Sequence, residues 1–154
     1  MKVPIEIERQ LYVEDVPLEK ARSLLDDLEG TIRLFPKLRR LEPLSAGGYL
    51  WKMDPIGAAG VEHELVYAAE YDIRPSDGAV QFSPIIGHGN AVIKGHLQVE
   101  PGDRGIRLSF RVQGTLYEVP VPKVFRLAAP SVIQGIFKRL VERYLEKLRD
   151  TLCD

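Results

Sequence analysis

Residues 131–152, SVIQGIFKRLVERYLEKLRDTL, decide how the rest of the chain is read. Val132, Ile133, Ile136, Phe137, Leu140, Val141, Tyr144, Leu145, Leu148 and Leu152 recur at steps of one, three and four, the spacing of a helix with one broad apolar face. Ser131, with Gln134 three residues on, predicts a capping box at its start. A stripe that long needs a partner surface, and the residues ahead of it read as strands.

Upstream, the apolar period is two. Strands are expected over 3–13, 39–44, 49–54, 61–73, 79–83, 91–99 and 106–117. Ser45-Ala46-Gly47-Gly48, Pro75-Ser76-Asp77-Gly78 and Pro101-Gly102-Asp103-Arg104-Gly105 are turn chemistry between them. Turns this short join antiparallel neighbours. After the first strand, Asp15-Val16-Pro17 predicts a helix start and Gly30 its stop, followed by a short helical piece over 31–38 interrupted at Phe35-Pro36. In residues 118–130, Pro120, Pro122 and Pro130 forbid a central strand. Val121, Val124, Phe125 and Leu127 predict that this stretch packs as a connection to the last helix. The expected fold is α+β: one domain, a seven-stranded antiparallel sheet wrapped around a long C-terminal helix, with two short helices after the first strand.

Bulk properties narrow the function. A formal net charge of −1 over 154 residues lacks the positive field of a nucleic-acid binder. The single cysteine, Cys153, forms no internal disulfide. Met1-Lys2-Val3-Pro4-Ile5-Glu6 has charges where a signal peptide needs an apolar core, and no apolar run reaches the ~18 residues of a transmembrane helix, so a cytoplasmic location is expected. The composition leaves the oligomeric state open.

The order of elements resembles the START/SRPBCC superfamily, the helix-grip fold of Bet v 1-like proteins, polyketide cyclases and coenzyme Q-binding proteins. The residues that carry the likeness are Tyr12-Val13-Glu14, Pro17, Leu24-Leu25-Asp26-Asp27-Leu28 and Phe35-Pro36-Lys37-Leu38. Val119-Pro120-Val121-Pro122 through Arg139-Leu140-Val141 resembles an uncharacterised plant and cyanobacterial branch of that superfamily. The resemblance implies a fold, and commonly a hollow between helix and sheet; the superfamily has no shared catalytic set to carry over.

Strand parity nominates polar groups that face inward. His63 shares its face with Val61, Leu65, Tyr67, Ala69 and Tyr71; Arg9 shares one with Ile5, Ile7, Leu11 and Val13; Glu118 follows Leu108, Phe110, Val112 and Leu116. Arg9 either pairs internally, with Glu118 for example, or is turned outward by a bulge, or meets an acidic or carbonyl group of a ligand. His63 is either a satisfied core histidine or a polar anchor. Trp51, Tyr67, Tyr71, Phe110, Ile136 and Leu140 serve equally as core and as pocket lining. Loops 54–60 and 83–90 are candidates for a mouth, with Ile56, Ile85 and Ile86 as shields.

Other motifs lose their meaning in context. Gly57-Ala58-Ala59-Gly60 has the form of an RNA-clamping loop without its flanking helices, and Gly87-His88-Gly89 lacks the rest of a dinucleotide site. His63, His88 and His96 have no spacing that gathers them on a metal, and no cofactor is expected. The expected function is binding of a hydrophobic small molecule such as a lipid, quinone or polyketide-like compound through Arg9, Trp51, His63, Tyr67, Tyr71, Phe110, Ile136 and Leu140. The alternatives are a cyclase, dehydratase or hydrolase using the same pocket, with His63 as base and Arg9 steadying developing negative charge, and a protein-interaction module with a filled core.

Overall fold

A computed structural model describes residues 1–58 and 61–154. Among these residues, nine strands and three α-helices follow in order: β1 (Val3–Glu14), α1 (Leu18–Arg22), α2 (Leu28–Arg33), β2 (Leu38–Pro43), β3 (Tyr49–Met53), β4 (Ile56–Ala58), β5 (Val61–His63), β6 (Val66–Arg74), β7 (Ala79–Pro84), β8 (Ala91–Gly102), β9 (Gly105–Leu116) and α3 (Ala129–Cys153). Seven strands form one antiparallel sheet in the order β1-β9-β8-β7-β6-β3-β2; β4 and β5 make a separate hairpin. The seven-stranded sheet, the long C-terminal helix and the short helices after β1 agree with the sequence reading.

Along β1, Val3, Ile5, Ile7 and Val13 are buried while Glu6, Glu8 and Gln10 are exposed. The alternation gives the sheet one apolar face, and α3 lies across it. Phe137, Leu140, Val141, Tyr144, Leu145, Leu148 and Leu152 are all buried there, at the steps the sequence predicts. The centre of the layer is aromatic. Phe35 stands 5.1 Å from Tyr144 and 5.7 Å from Trp51, Phe110 lies 5.3 Å from Tyr144, and Trp51 stacks on Tyr67 at 5.2 Å, all between ring centroids. These are distances at which edge and offset contacts add to burial. The Tyr144 hydroxyl donates to the Thr31 carbonyl at 3.0 Å, fixing α3 to α2.

Four local expectations are corrected. The helix expected between Asp15 and Gly30 is two pieces joined by a turn at Ser23–Asp26. The Asp27 carboxylate accepts from the Gly30 amide at 3.0 Å and caps α2, so the break is a cap and Gly30 lies inside a helix. Asp15 does not cap α1: its backbone is left-handed (φ 59) and its amide donates to the Arg104 carbonyl.

The strand expected over 61–73 is divided at Glu64-Leu65. Asn90 makes the division: its side-chain oxygen accepts from the Val66 amide at 3.0 Å and its side-chain nitrogen donates to the Glu64 carbonyl at 2.7 Å. Gly89 next to it has φ 70, and a Cβ there would stand 2.0 Å from the Val66 carbonyl oxygen, so only glycine fits. Ala59 and Gly60, part of the expected loop 54–60, lie outside the described residues.

At the start of α3 the capping box does not form. The helix begins earlier, at Ala129, behind Ala128. Gln134 bonds sideways instead: its amide nitrogen donates to the Glu6 carbonyl, and its oxygen accepts from the Glu6 amide at 3.1 Å. One side-chain amide thus satisfies both outer backbone groups of an edge-strand residue, and the edge is blunted. Lastly, β9 ends at Leu116, and left-handed backbone at Glu118 (φ 57) carries that side chain out to solvent.

Tyr144→Phe removes the hydrogen bond from this helix to the Thr31 carbonyl in a dry site. The urea midpoint is expected to fall by the equivalent of about 1–2 kcal/mol with an unchanged m-value; an unchanged midpoint would show that the bond contributes nothing.

Candidate ligand cavity

The N-terminal third of α3 is apolar but not covered as its remainder is. Val132 is 43% exposed and Ile133 and Ile136 are half-buried, whereas Phe137 onward packs tightly. What faces this third is the β4–β5 hairpin and the chain leaving β9. Between them lies a cavity of about 120 Å³. That is room for a small organic molecule rather than a single water.

Ile56 and His63 are cross-strand partners in the hairpin and share the floor with Leu116, Val119 and Ala129, all buried. Phe125, Ala128, Val132 and Gly57 are exposed and form the rim. Among the described lining residues, His63 alone carries a polar side chain.

His63 is 9% exposed, and its Nε2 has no hydrogen-bond partner among the described residues. A buried polar atom without a partner costs free energy. The ring is kept neutral: burial pushes its pKa below the ordinary 6.5, the chain's terminal ammonium adds to that, and the Glu118 carboxylate opposes it. A neutral imidazole nitrogen can accept or donate according to tautomer, so it can meet a hydroxyl or a carbonyl.

A second, smaller space of about 50 Å³ lies deeper, among Trp51, Tyr67, Tyr71, Phe82, Phe110 and Tyr144. The Trp51 indole donates to the Tyr71 hydroxyl at 2.7 Å. Burial pushes the phenols of Tyr67, Tyr71 and Tyr144 up, so all stay neutral.

The sequence-predicted set is therefore split. His63 and Ile136 line the larger cavity; Trp51, Tyr67, Tyr71 and Phe110 line the smaller. Leu140 is buried and lines neither. Arg9 has the inward parity expected of it, but it stands at the border of β1 and α3, where its Nε donates to Glu142 at 3.1 Å. Both side chains are partly exposed, the pairing with Glu118 is not made, and Arg9 lines neither cavity. Loop 83–90 does not line them either: Ile85 packs toward Gly48, and Ile86 is 73% exposed. Of the two expected mouth loops, 54–60 contributes, through Ile56 and Gly57.

Sequence reasoning missed Leu116, Val119, Val121, Phe125, Ala128, Ala129, Val132 and Ile133 as lining. The signal was present in the apolar residues of 118–130, which were expected to pack as a simple connection. Val119 is buried and Val121 half-buried, but Val124, Phe125 and Leu127 are exposed, which corrects that expectation. The prolines hold this backbone in tight turns whose side chains cannot all reach the helix.

Several solved structures share this architecture. A protein of Thermus thermophilus is 20% identical, with 97% of each chain covered and a TM-score of 0.61. The Zhui aromatase/cyclase of Streptomyces sp. R1128 is 12% identical, covering 99% of this chain and 94% of its own, with a TM-score of 0.61. The major latex-like protein 151 of Panax ginseng is 10% identical, covering 97% and 98%, with a TM-score of 0.60. No protein-family model matches the chain, and no curated protein matches it in sequence. At these identities the likeness is one of fold: the chain has the helix-grip fold that its sequence resembles. No helix among the described residues is long and apolar enough to cross a membrane.

A histidine whose pKa is lowered in the folded state leaves the unfolded chain holding more protons, so its contribution to stability is lost as pH falls from 6.5 through the folded value. Urea midpoints at about pH 7.5 and about pH 5 should show a smaller acid loss in His63→Gln than in the parent. Equal losses in the two proteins would mean that the ring titrates as in the unfolded chain.

Proposed function

We propose that this protein binds a small, mainly apolar molecule bearing one hydrogen-bonding group, in the cavity between the start of α3 and the β4–β5 hairpin. The observation that carries the reading is the buried Nε2 of His63, without a partner among the described residues, in an otherwise apolar hollow. Enclosing about 200 Å² of apolar ligand surface is worth on the order of 5 kcal/mol before ordering costs are subtracted. The ligand's polar group would satisfy His63 and so set which end enters first. Small lipids, quinones and polyketide-like rings fit that description. The aromatase/cyclase and the major latex-like protein among the similar structures are fold-level company for it.

A catalytic reading has one observation in its favour: a neutral, buried imidazole is suited to act as a general base. Its weakness is the rest of the wall. The described lining offers no second side chain to steady developing charge, and Arg9, which the sequence put forward for that role, is engaged by Glu142. Binding is therefore the better-supported activity.

Naphthol and naphthalene serve as matched probes, differing by one hydroxyl. Fluorescence titration should give tighter binding of naphthol to the parent, and His63→Leu should erase the difference, a loss of about tenfold for naphthol alone. Val132→Trp, a substitution at the exposed rim, should weaken both probes. A parent protein that takes up neither probe, and from which native mass spectrometry with organic extraction recovers no small molecule, would end the proposal.

A further inference from the structure

We propose that the turn at Lys123–Phe125 and the residues after it dock the protein on an anionic lipid surface, with the rim of the cavity facing the bilayer. This goes beyond ligand binding and does not depend on it, since docking needs only the outer ridge. Val124 is 83% exposed, Leu127 100%, Phe125 44% and Val132 43%. They are four of the eight large apolar side chains left exposed among the described residues, and all four fall between 124 and 132. Scattered single exposures need no explanation, but a concentration does.

The exposure is built into the backbone. The Phe125 amide donates to the Pro122 carbonyl at 2.9 Å and the Ala128 amide to the Phe125 carbonyl at 3.1 Å. Pro120 and Pro122 precede the turn and Pro130 follows it. These backbone bonds close the turn locally, and the side chains of Val124 and Leu127 project from it into solvent.

Charge identifies the partner. Residues 119–141 contain no Asp or Glu but four cations, Lys123, Arg126, Lys138 and Arg139, in a chain whose net charge is −1. All four are exposed, and none takes part in the ion pairs found among the described residues. Lys123 and Arg126 bracket Val124 and Phe125 directly, and Arg139 lies two helical turns beyond Val132 on the same face. Apolar side chains between such cations form the pattern of a segment that seats in the headgroup region, with carbon below and charge at the phosphates.

Flotation of the full chain with phosphatidylcholine vesicles containing about one-third phosphatidylglycerol tests this. The protein is expected to float with these vesicles, to stay behind with phosphatidylcholine alone, and to be released by salt. Lys123→Gln with Arg126→Gln should lower partitioning about 30-fold, and Val124→Ser with Leu127→Ser about tenfold or more. Each replaces exposed side chains, so far-ultraviolet circular dichroism should match the parent. His63→Leu should float as the parent does, which separates this proposal from the cavity's. A parent that ignores anionic vesicles at low salt, or ridge variants that float as well as the parent, would overturn it and return the ridge to a protein partner.

Discussion

The structure depends on one unequal fit: α3 is apolar along its whole length, but the sheet and α2 fill only part of the space beneath it. At ~1.5 Å per residue its 25 residues span about 37 Å. From Phe137 to Leu152 its stripe meets β1, α2 and the aromatic centre, with Tyr144 anchored on Thr31. Ahead of Phe137, apart from the Gln134 bridge to Glu6 of β1 and Leu116 at the end of β9, the opposing surface among the described residues is a two-stranded hairpin and a proline-rich connection. Three-residue strands carry few side chains, so the layer there is thin and a hollow remains. The position of the cavity is a consequence of which end of the helix is clamped.

That clamp also explains why the middle of the molecule is not the pocket. A curved sheet under a helix encloses volume that must be filled or left open, and an empty apolar space sacrifices contacts. Phe35, entering from the connection after α2, contacts Trp51, Phe110 and Tyr144 at once. The aromatic side chains that could have lined a large central cavity therefore pack on one another and leave only about 50 Å³. The proline after Phe35 and the left-handed backbone of Lys37 (φ 65) turn the chain into β2 immediately beyond it.

Sequence periodicity carried the fold because period two and period 3.6 report which face is buried, and burial is what a sheet-and-helix layer imposes residue by residue. It carried His63 for the same reason. It could not assign Arg9, because parity says which face a side chain is on and not how near the rim it lies; at the border of β1 and α3 the inward face is already wet enough for an ion pair with Glu142. Nor could it find the Asn90 clamp, which joins backbone groups 24 and 26 residues away. Gln134 was misread for a related reason. A capping box and a side-chain bridge to an edge strand use the same residue type, and only the three-dimensional neighbourhood of Glu6 distinguishes them.

The hardest stretch to read, 118–130, is also where the cavity rim and the exposed apolar side chains gather, and the two facts have one cause. A connection whose apolar residues were all packed would simply extend the core, and hydrophobicity alone would have described it correctly. Here the prolines and the left-handed turn at Glu118 prevent complete packing. Val119 goes inward and becomes floor, Phe125 becomes rim, and Val124 and Leu127 are left in solvent. Exposed apolar groups are unfavourable to a lone protein in water. A sequence that places them beside the opening of an apolar hollow, and sets cations among them, is better suited to a surface that is itself apolar and negatively charged than to bulk water.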